Sequence, residues 1–77
     1  MNKDLWEYLS QKKKEHRERI VRAEKYERRL RKRLEDQPDR EDIINNIQAA
    51  VRVRNVSGEL VNFIKELEEL FLKGGRQ

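Results

Sequence analysis

Hydrophobic residues recur along the chain at alternating intervals of three and four, the spacing of one face of an α-helix. Before residue 35 this stripe runs through Trp6, Leu9, Lys13, His16, Ile20, Ala23, Glu27, Leu30 and Leu34. With Ile43 at heptad position a, later a and d positions are Ile43, Asn46, Ala50, Val53, Ser57, Leu60, Ile64, Leu67 and Phe71. These patterns predict two long helices that pack through coiled-coil-like seams.

A strong break separates the two patterns at Pro38. Proline lacks an N–H and pushes the preceding residue out of the helical conformation. We predict one domain over residues 1–77, with a helix over about 3–36, a turn at 36–38, a helix over about 39–73 and a disordered tail at 74–77. The heptad phase is unchanged across Gly58, so the second helix is predicted to be continuous; a break at Ser57-Gly58 is the alternative. The fold class is therefore all-α, an antiparallel two-helix hairpin.

The second helix carries more apolar surface than one partner helix covers. Its g positions, Ala49, Val56, Phe63 and Leu70, are all apolar, in addition to the a and d positions. Counted from the turn, Leu60 and Ile64 fall opposite His16 and Lys13, where the first helix has no aliphatic side chain. We therefore expect two hairpins to dimerise into a four-helix bundle. A docking surface for another protein is the alternative.

Length and composition agree with self-association. A chain of 77 residues buries only about 60% of its unfolded surface, and without cysteine it has no disulfide to stabilise a small core. Charged residues make up 44% of the chain, which suits long solvated helices better than a sheet. No apolar stretch approaches the roughly 20 residues of a membrane span, and the N-terminus lacks the apolar core of a signal peptide. We expect a cytoplasmic protein without a membrane partner.

The charge is concentrated in the first helix. Residues 12–33 contain twelve Lys or Arg and four Glu, a net charge of +8. Cations facing away from the apolar stripe could bind the phosphates of a nucleic acid without reading its sequence. The candidate contacts are Lys14, Arg17, Arg22, Lys25, Arg28, Arg29, Lys32 and Arg33. The alternative is a solvated face, because each Glu of this segment precedes an Arg by four residues, the favourable order for a helical ion pair: Glu15–Arg19, Glu18–Arg22, Glu24–Arg28 and Glu27–Arg31.

Residues that could carry catalysis are few. The chain has one histidine, His16, with no evident nucleophile or orienting carboxylate beside it, and it lacks a glycine-rich phosphate loop and paired metal ligands. Glu66, Glu68 and Glu69 are expected to form a solvated face. We therefore expect no enzymatic activity, no cofactor and no metal.

The sequence thus predicts a small regulatory or interaction protein, a homodimer that also binds an unidentified protein partner. The predicted interface combines an N-terminal aromatic cluster with the apolar surface of the second helix: Trp6, Tyr8, Leu9, Val56, Leu60, Phe63, Ile64, Leu67, Leu70 and Phe71. The alternative for Trp6 and Leu9 is that they cap the open end of the hairpin against Leu67, Leu70 and Phe71. The alternative is a sequence-nonspecific DNA- or RNA-binding protein that uses the basic face of the first helix. A charged hairpin that dimerises into a four-helix bundle resembles the RNA-binding plasmid copy-number repressors in architecture, and the small size suits a phage or mobile-element regulator.

Overall fold

The computed structural model describes residues 3–74, which form two antiparallel helices, α1 (Lys3–Asp36) and α2 (Glu41–Gly74). The Cα trace measures 59 × 14 × 13 Å, the dimensions of a long two-helix hairpin. The predicted all-α hairpin is confirmed, and α2 continues through Gly58 without a break. Gly74 belongs to α2, whereas residues 75–77 of the predicted tail lie outside the described residues.

A β-turn over residues 37–40 joins the helices. The Gln37 N–H donates to the carbonyl oxygens of Arg33 and Leu34, at 3.1 and 3.2 Å, and closes α1. The Arg40 N–H donates to the Gln37 carbonyl at 3.2 Å, so Pro38 occupies the second position of the turn, which its fixed φ favours. The second helix therefore begins at residue 41, two residues later than predicted, because Pro38 is part of the turn rather than of the first helical turn.

The Arg40 side chain fastens this turn to the start of α2. Its Nη1 donates to Gln37 Oε1 at 2.7 Å, and its Nε and Nη2 donate to the two carboxylate oxygens of Asp42 at 2.8 and 2.6 Å. The hydrogen bonds from Arg40 lower the pKa of Asp42 from 3.8 to about 2. The carboxylate also lies in the first turn of α2, where the helix dipole favours a negative charge.

Seven buried residues of α2, here called the inner seam, face α1: Ile43, Ile47, Ala50, Ser57, Val61, Ile64 and Glu68. They occupy positions a and e of the heptad, so the predicted a and d seam is wrong. The d residues Asn46, Val53 and Leu60 are exposed instead. On α1 the buried residues are Leu9, Ala23, Glu27 and Leu30, all members of the predicted stripe. At the turn end, Leu30, Ile43 and Ile47 form one buried cluster with Leu34 and Val51 packed against it.

Charged residues within the α1 stripe explain this rotation of α2. Lys13 Nζ lies 2.6 Å from Glu68 Oε1, and Arg54 Nη1 lies 3.1 Å from Glu27 Oε1. Arg54 and Glu68 both occupy e positions. A seam made of a and e positions therefore places an oppositely charged residue of α2 against Lys13 and against Glu27 of the α1 stripe. Glu68 is only 8% exposed, and the predicted solvated face of glutamates is wrong for this residue.

The carboxylate of Glu27 bridges the two helices. Arg31 Nε donates to its Oε2 at 2.8 Å, while Arg54 approaches Oε1 without the alignment of a hydrogen bond. The hydrogen bond from Arg31 and the positive charges of Arg54 and Arg31 lower the pKa of Glu27, although burial acts in the opposite direction. The charged form is therefore the one that holds this part of the seam together.

Candidate interaction surfaces

Six large apolar side chains follow one another along α2 on a face that α1 does not cover. This outer row consists of Val53, Val56, Leu60, Phe63, Leu67 and Leu70, in steps of three and four residues. Val53, Val56, Leu60, Phe63 and Leu70 are between 38% and 65% exposed, and Leu67 is half-buried. The row extends for roughly 25 Å at 1.5 Å per residue. Scattered apolar residues are normal on a surface, whereas these six lie in one contiguous row.

Cations of α1 border the outer row on one side. Arg19, Arg22 and Tyr26 line an open groove together with Asn46, Ala49 and Val53 of α2. A second groove is lined by Arg19 and Arg52 together with Val53, Val56 and Ser57. The exposed face of the hairpin is therefore apolar along α2 and basic along the adjacent edge of α1.

A second apolar cluster lies at the open end of the hairpin, where α1 begins and α2 ends. At this end Tyr8 and Leu72 are 57% and 49% exposed, and Trp6 and Phe71 are half-buried. The ammonium group of Lys12 lies 5.6 Å from the centroid of the Tyr8 ring, a distance at which cation–π attraction operates.

Most residues of the predicted interface reach the surface, but two do not. Tyr8, Val56, Leu60, Phe63 and Leu70 are exposed, and Trp6, Leu67 and Phe71 are half-buried. Leu9 and Ile64 are 7% and 6% exposed, because both already pack between the two helices.

Ile64 was expected to lack an apolar partner because α1 has no aliphatic residue between Ser10 and Arg19. It is nevertheless buried. The pair of Lys13 with Glu68 puts Ile64 four residues from the level of Lys13 rather than opposite it, and a lysine side chain that is only 21% exposed can cover apolar surface with its stem. Sequence reasoning also missed Val53 as a surface residue. Val53 lies three residues before Val56, a spacing that places both on one face of the helix, but all d positions were assigned to the buried seam.

All eight candidate nucleic-acid contacts on α1 are exposed: Lys14, Arg17, Arg22, Lys25, Arg28, Arg29, Lys32 and Arg33. Within residues 3–74 none of these eight side chains is in an ion pair. Of the four predicted Glu–Arg pairs, Glu27–Arg31 is formed, whereas Glu15 pairs with Lys12 at 3.3 Å. The hydrogen bond from Lys12 contributes most to lowering the pKa of Glu15.

Other chemistry is sparse in the part of the chain that the structure describes. Across residues 3–74, no three His, Cys, Asp or Glu side chains lie close enough together to hold a metal ion. His16 Nδ1 is buried and has no hydrogen-bond partner. Neither α1 nor α2, as described, combines the length and apolar character that a membrane crossing requires.

Comparisons with known proteins give no relative for this chain. No protein-family model matches it, and no match was found among the curated proteins or the solved structures.

Proposed function

We propose that this protein is a non-enzymatic interaction protein of the cytoplasm that works as a homodimer, with the outer rows of two hairpins packed together in a four-helix bundle. One observation carries the proposal: the hairpin buries a complete inner seam and still exposes the outer row on the same helix. A second apolar row at heptad spacing is what a further helix requires as its partner.

The magnitudes allow such an association. Full burial of a large apolar side chain contributes about 1.5–3 kcal/mol, and the outer row is roughly half exposed, so each copy contributes roughly 4–9 kcal/mol. Two copies together contribute roughly 9–18 kcal/mol, against an association cost of about 4–15 kcal/mol. The surplus is enough for a dimer at micromolar concentration, which corresponds to about 8 kcal/mol, when the fit is good.

The open end of the hairpin is the proposed contact for a protein partner. Tyr8 is more than half exposed there, and Trp6, Phe71 and Leu72 lie at the same end of the hairpin. Aromatic residues that combine a large apolar ring with a polar group commonly concentrate the binding energy of an interface. The dimer contact along the outer row leaves this cluster available for a regulatory target.

Sedimentation of the whole protein tests the dimer. We expect the wild-type chain to be a dimer at micromolar concentration and the double variant Leu60→Gln, Phe63→Gln to be a helical monomer. Val21→Gln is the matched control, because Val21 is 49% exposed on α1 and lies outside the outer row. A wild-type protein that sediments as a folded monomer at micromolar concentration would show that the outer row does not mediate self-association.

A second candidate function is sequence-nonspecific binding of DNA or RNA by the basic face of α1. The specific observation is that eight exposed cations lie on one helix without an ion pair in the described structure. The phosphate backbone attracts such a face through release of counterions, and this attraction weakens steeply with salt. Arg22 borders the outer row, but Lys25, Arg28 and Arg29 line a groove that contains no residue of α2, so this part of the basic face is compatible with the proposed dimer.

Affinity for duplex DNA and RNA across a salt series tests this second function. The triple variant Lys25→Gln, Arg29→Gln, Lys32→Gln should bind more weakly and lower the log–log salt slope by roughly 2–3 units, at about 0.9 per phosphate contact. Arg52→Gln, Lys65→Gln, Lys73→Gln on α2 is the control, because it removes the same charge elsewhere. Equal losses in the two triple variants, or no binding at low salt, would exclude the basic face of α1 as the site.

A further inference from the structure

We infer that the two copies pair with their α2 helices parallel and adjacent, so that the two-fold axis runs along the bundle and the two α1 helices lie on opposite sides. The inference rests on the proposed homodimer and specifies its geometry. It follows from the position of the outer row relative to α1 and from the charge of α1.

Only two symmetric pairings bring one outer row against the other. If the α2 helices run antiparallel, the two-fold axis is perpendicular to them and places both α1 helices on the same side of the α2 pair, where they face each other. If the α2 helices run parallel, the axis lies along them and carries the second α1 to the opposite side. The two arrangements bury the same apolar row, so the surroundings of the row decide between them.

Charge on α1 disfavours the antiparallel arrangement. The edge of α1 beside the outer row carries Arg19 and Arg22, which line the grooves next to Val53 and Val56. Facing α1 helices would bring these arginines close to the same residues of the partner, within segments that each have twelve Lys or Arg and four Glu, a net charge of +8. Like charges at short range destabilise an interface, whereas the parallel arrangement keeps the two basic segments apart.

The parallel arrangement also gives the α1 edge suitable neighbours. In both ion pairs of the seam, 13 with 68 and 27 with 54, the residue numbers sum to 81, so residues of α1 and α2 whose numbers sum to 81 lie at the same height along the hairpin. Rotation about an axis along the helices keeps this height, so the same sum identifies residues at one level in the two copies. Each α2 then lies beside the partner's α1 with Glu59 level with the partner's Arg22. Phe63 comes one residue from the level of the partner's Arg19, a cation for its ring.

The same rule gives two further neighbours. Val56 comes one residue from the level of the partner's Tyr26, an additional apolar contact. Glu66 comes level with the partner's Glu15, and Lys12 offsets that charge because it already pairs with Glu15 at 3.3 Å within the partner hairpin. The α1 edge thus meets one opposite charge and two apolar or aromatic side chains of the other copy.

Cysteine cross-linking tests the orientation, because the natural chain contains no cysteine. Val53→Cys and Leu67→Cys, made separately, each place a thiol at a d position of the outer row. In a parallel dimer each residue faces its own copy, close to the roughly 7 Å Cα separation that a disulfide tolerates. We expect both variants to form disulfide-linked dimers as the main species on mild oxidation.

An antiparallel dimer gives a different result in every register. In an antiparallel dimer, the axial distance between a residue and the same residue of the partner is twice its distance from the two-fold axis. Residues 53 and 67 are 14 positions apart, so their two distances add up to about 42 Å or more, and a disulfide cannot link both residues to their own copies. A mixture of the two variants would instead cross-link 53 to 67 in some antiparallel registers. Asn55→Cys, exposed and outside the row, measures cross-linking by chance collision. If Val53→Cys fails to dimerise, Asn46→Cys supplies another d position.

The outcomes separate this inference from the function it rests on. A wild-type monomer in sedimentation overturns both. A wild-type dimer in which only one of the two variants cross-links, in which the mixed disulfide dominates, or in which the row cysteines react no faster than Asn55→Cys, overturns the parallel arrangement and leaves the homodimer in place. Symmetric cross-links at both ends of the row support it.

Discussion

The two helices are each 34 residues long, yet they use their apolar residues differently. The stripe of α1 is a single row in which Lys13, His16 and Glu27 interrupt the aliphatic residues. The apolar residues of α2 form two rows, and the hairpin buries only the inner seam. The charges of α1 therefore determine how the helices are aligned, whereas α2 exposes a second apolar row that the hairpin does not bury.

The charged residues of α1 explain the alignment. Lys13 pairs with Glu68 and Glu27 pairs with Arg54, and the two pairs have opposite polarity. A parallel alignment of the same positions would set Lys13 against Arg54 and Glu27 against Glu68, like charges in both cases. The seam therefore favours one register and one orientation, which is the best-attested role of buried polar residues in helical assemblies.

The largest effect is expected where both helices contribute apolar residues. Ile43 is 1% exposed and packs with Leu30 and Ile47. Replacing it by alanine should cost about 2–5 kcal/mol of unfolding free energy, because it leaves a cavity in the aliphatic cluster at the turn end. Urea unfolding followed by circular dichroism at fixed protein concentration measures the loss. Ile44→Ala, at the adjacent and less buried position, is the control and should cost clearly less; equal losses would contradict a core confined to the inner seam.

A smaller effect is expected for the polar part of the seam. Glu68→Ala should cost about 1–3 kcal/mol, because the Lys13 ammonium loses its partner while its side chain stays largely shielded. Joint replacement of both residues by methionine should restore most of this loss, since an apolar pair needs no desolvation of charge. Urea unfolding of the two variants beside wild type measures both changes. A double variant that is less stable than Glu68→Ala would mean that the ion pair itself contributes net stability.

Gly58 lies inside α2 and outside the outer row. A Cβ added at Gly58 meets no atom within 4 Å, although the residue lies inside a continuous helix. Gly58→Ala should therefore raise the unfolding free energy by about 0.8–1 kcal/mol through helix propensity alone. Thermal or urea unfolding gives the change. A loss of stability in place of a gain would show that another chain packs against this side of α2, and it would contradict an interface confined to the outer row.

The smallest effect concerns the turn and depends on pH. The pKa of Asp42 is lowered from 3.8 to about 2 by its hydrogen bonds from Arg40. A lowered pKa in the folded chain means that the pair stabilises the fold fully above the unfolded pKa and loses its contribution as the pH falls through the folded pKa. The stability difference between wild type and Asp42→Asn should therefore be constant at neutral pH and shrink between about pH 4 and pH 2. A difference that stays constant down to pH 2 would contradict the Arg40–Asp42 pairing.

The hairpin itself could be predicted from the sequence, because each of its determinants is local. Periods of three and four specify helices, and Pro38 specifies an interruption through its own geometry. The inward stripe of α1 was predicted residue by residue, since a helix that buries one row leaves little choice of face. The start of α2 was misplaced by two residues because proline fits both a β-turn and a first helical turn, and local sequence does not distinguish them.

The interaction surfaces were predicted only in part. Phe63, Leu70 and Val56 stood out as apolar residues beyond the expected seam, and they are exposed. Leu9 was included as a member of the N-terminal aromatic cluster, and Ile64 because its partner on α1 seemed absent. The stem of a lysine can cover apolar surface when its charge reaches an acid across the seam. The eight outward cations were identified correctly as exposed, because an arc opposite the buried stripe follows directly from helical geometry.

By itself, the sequence determined two helices, their lengths, the break between them and the concentration of charge on the first. Only the tertiary structure decided which side of α2 turns inward. Positions d and e flank position a almost equally, and apolar residues occur at both, so periodicity alone leaves two solutions. The choice falls to Arg54 and Glu68, whose partners lie on the other helix and more than 25 residues away in sequence. That choice leaves Val53, Leu60 and most of the outer row exposed on the surface.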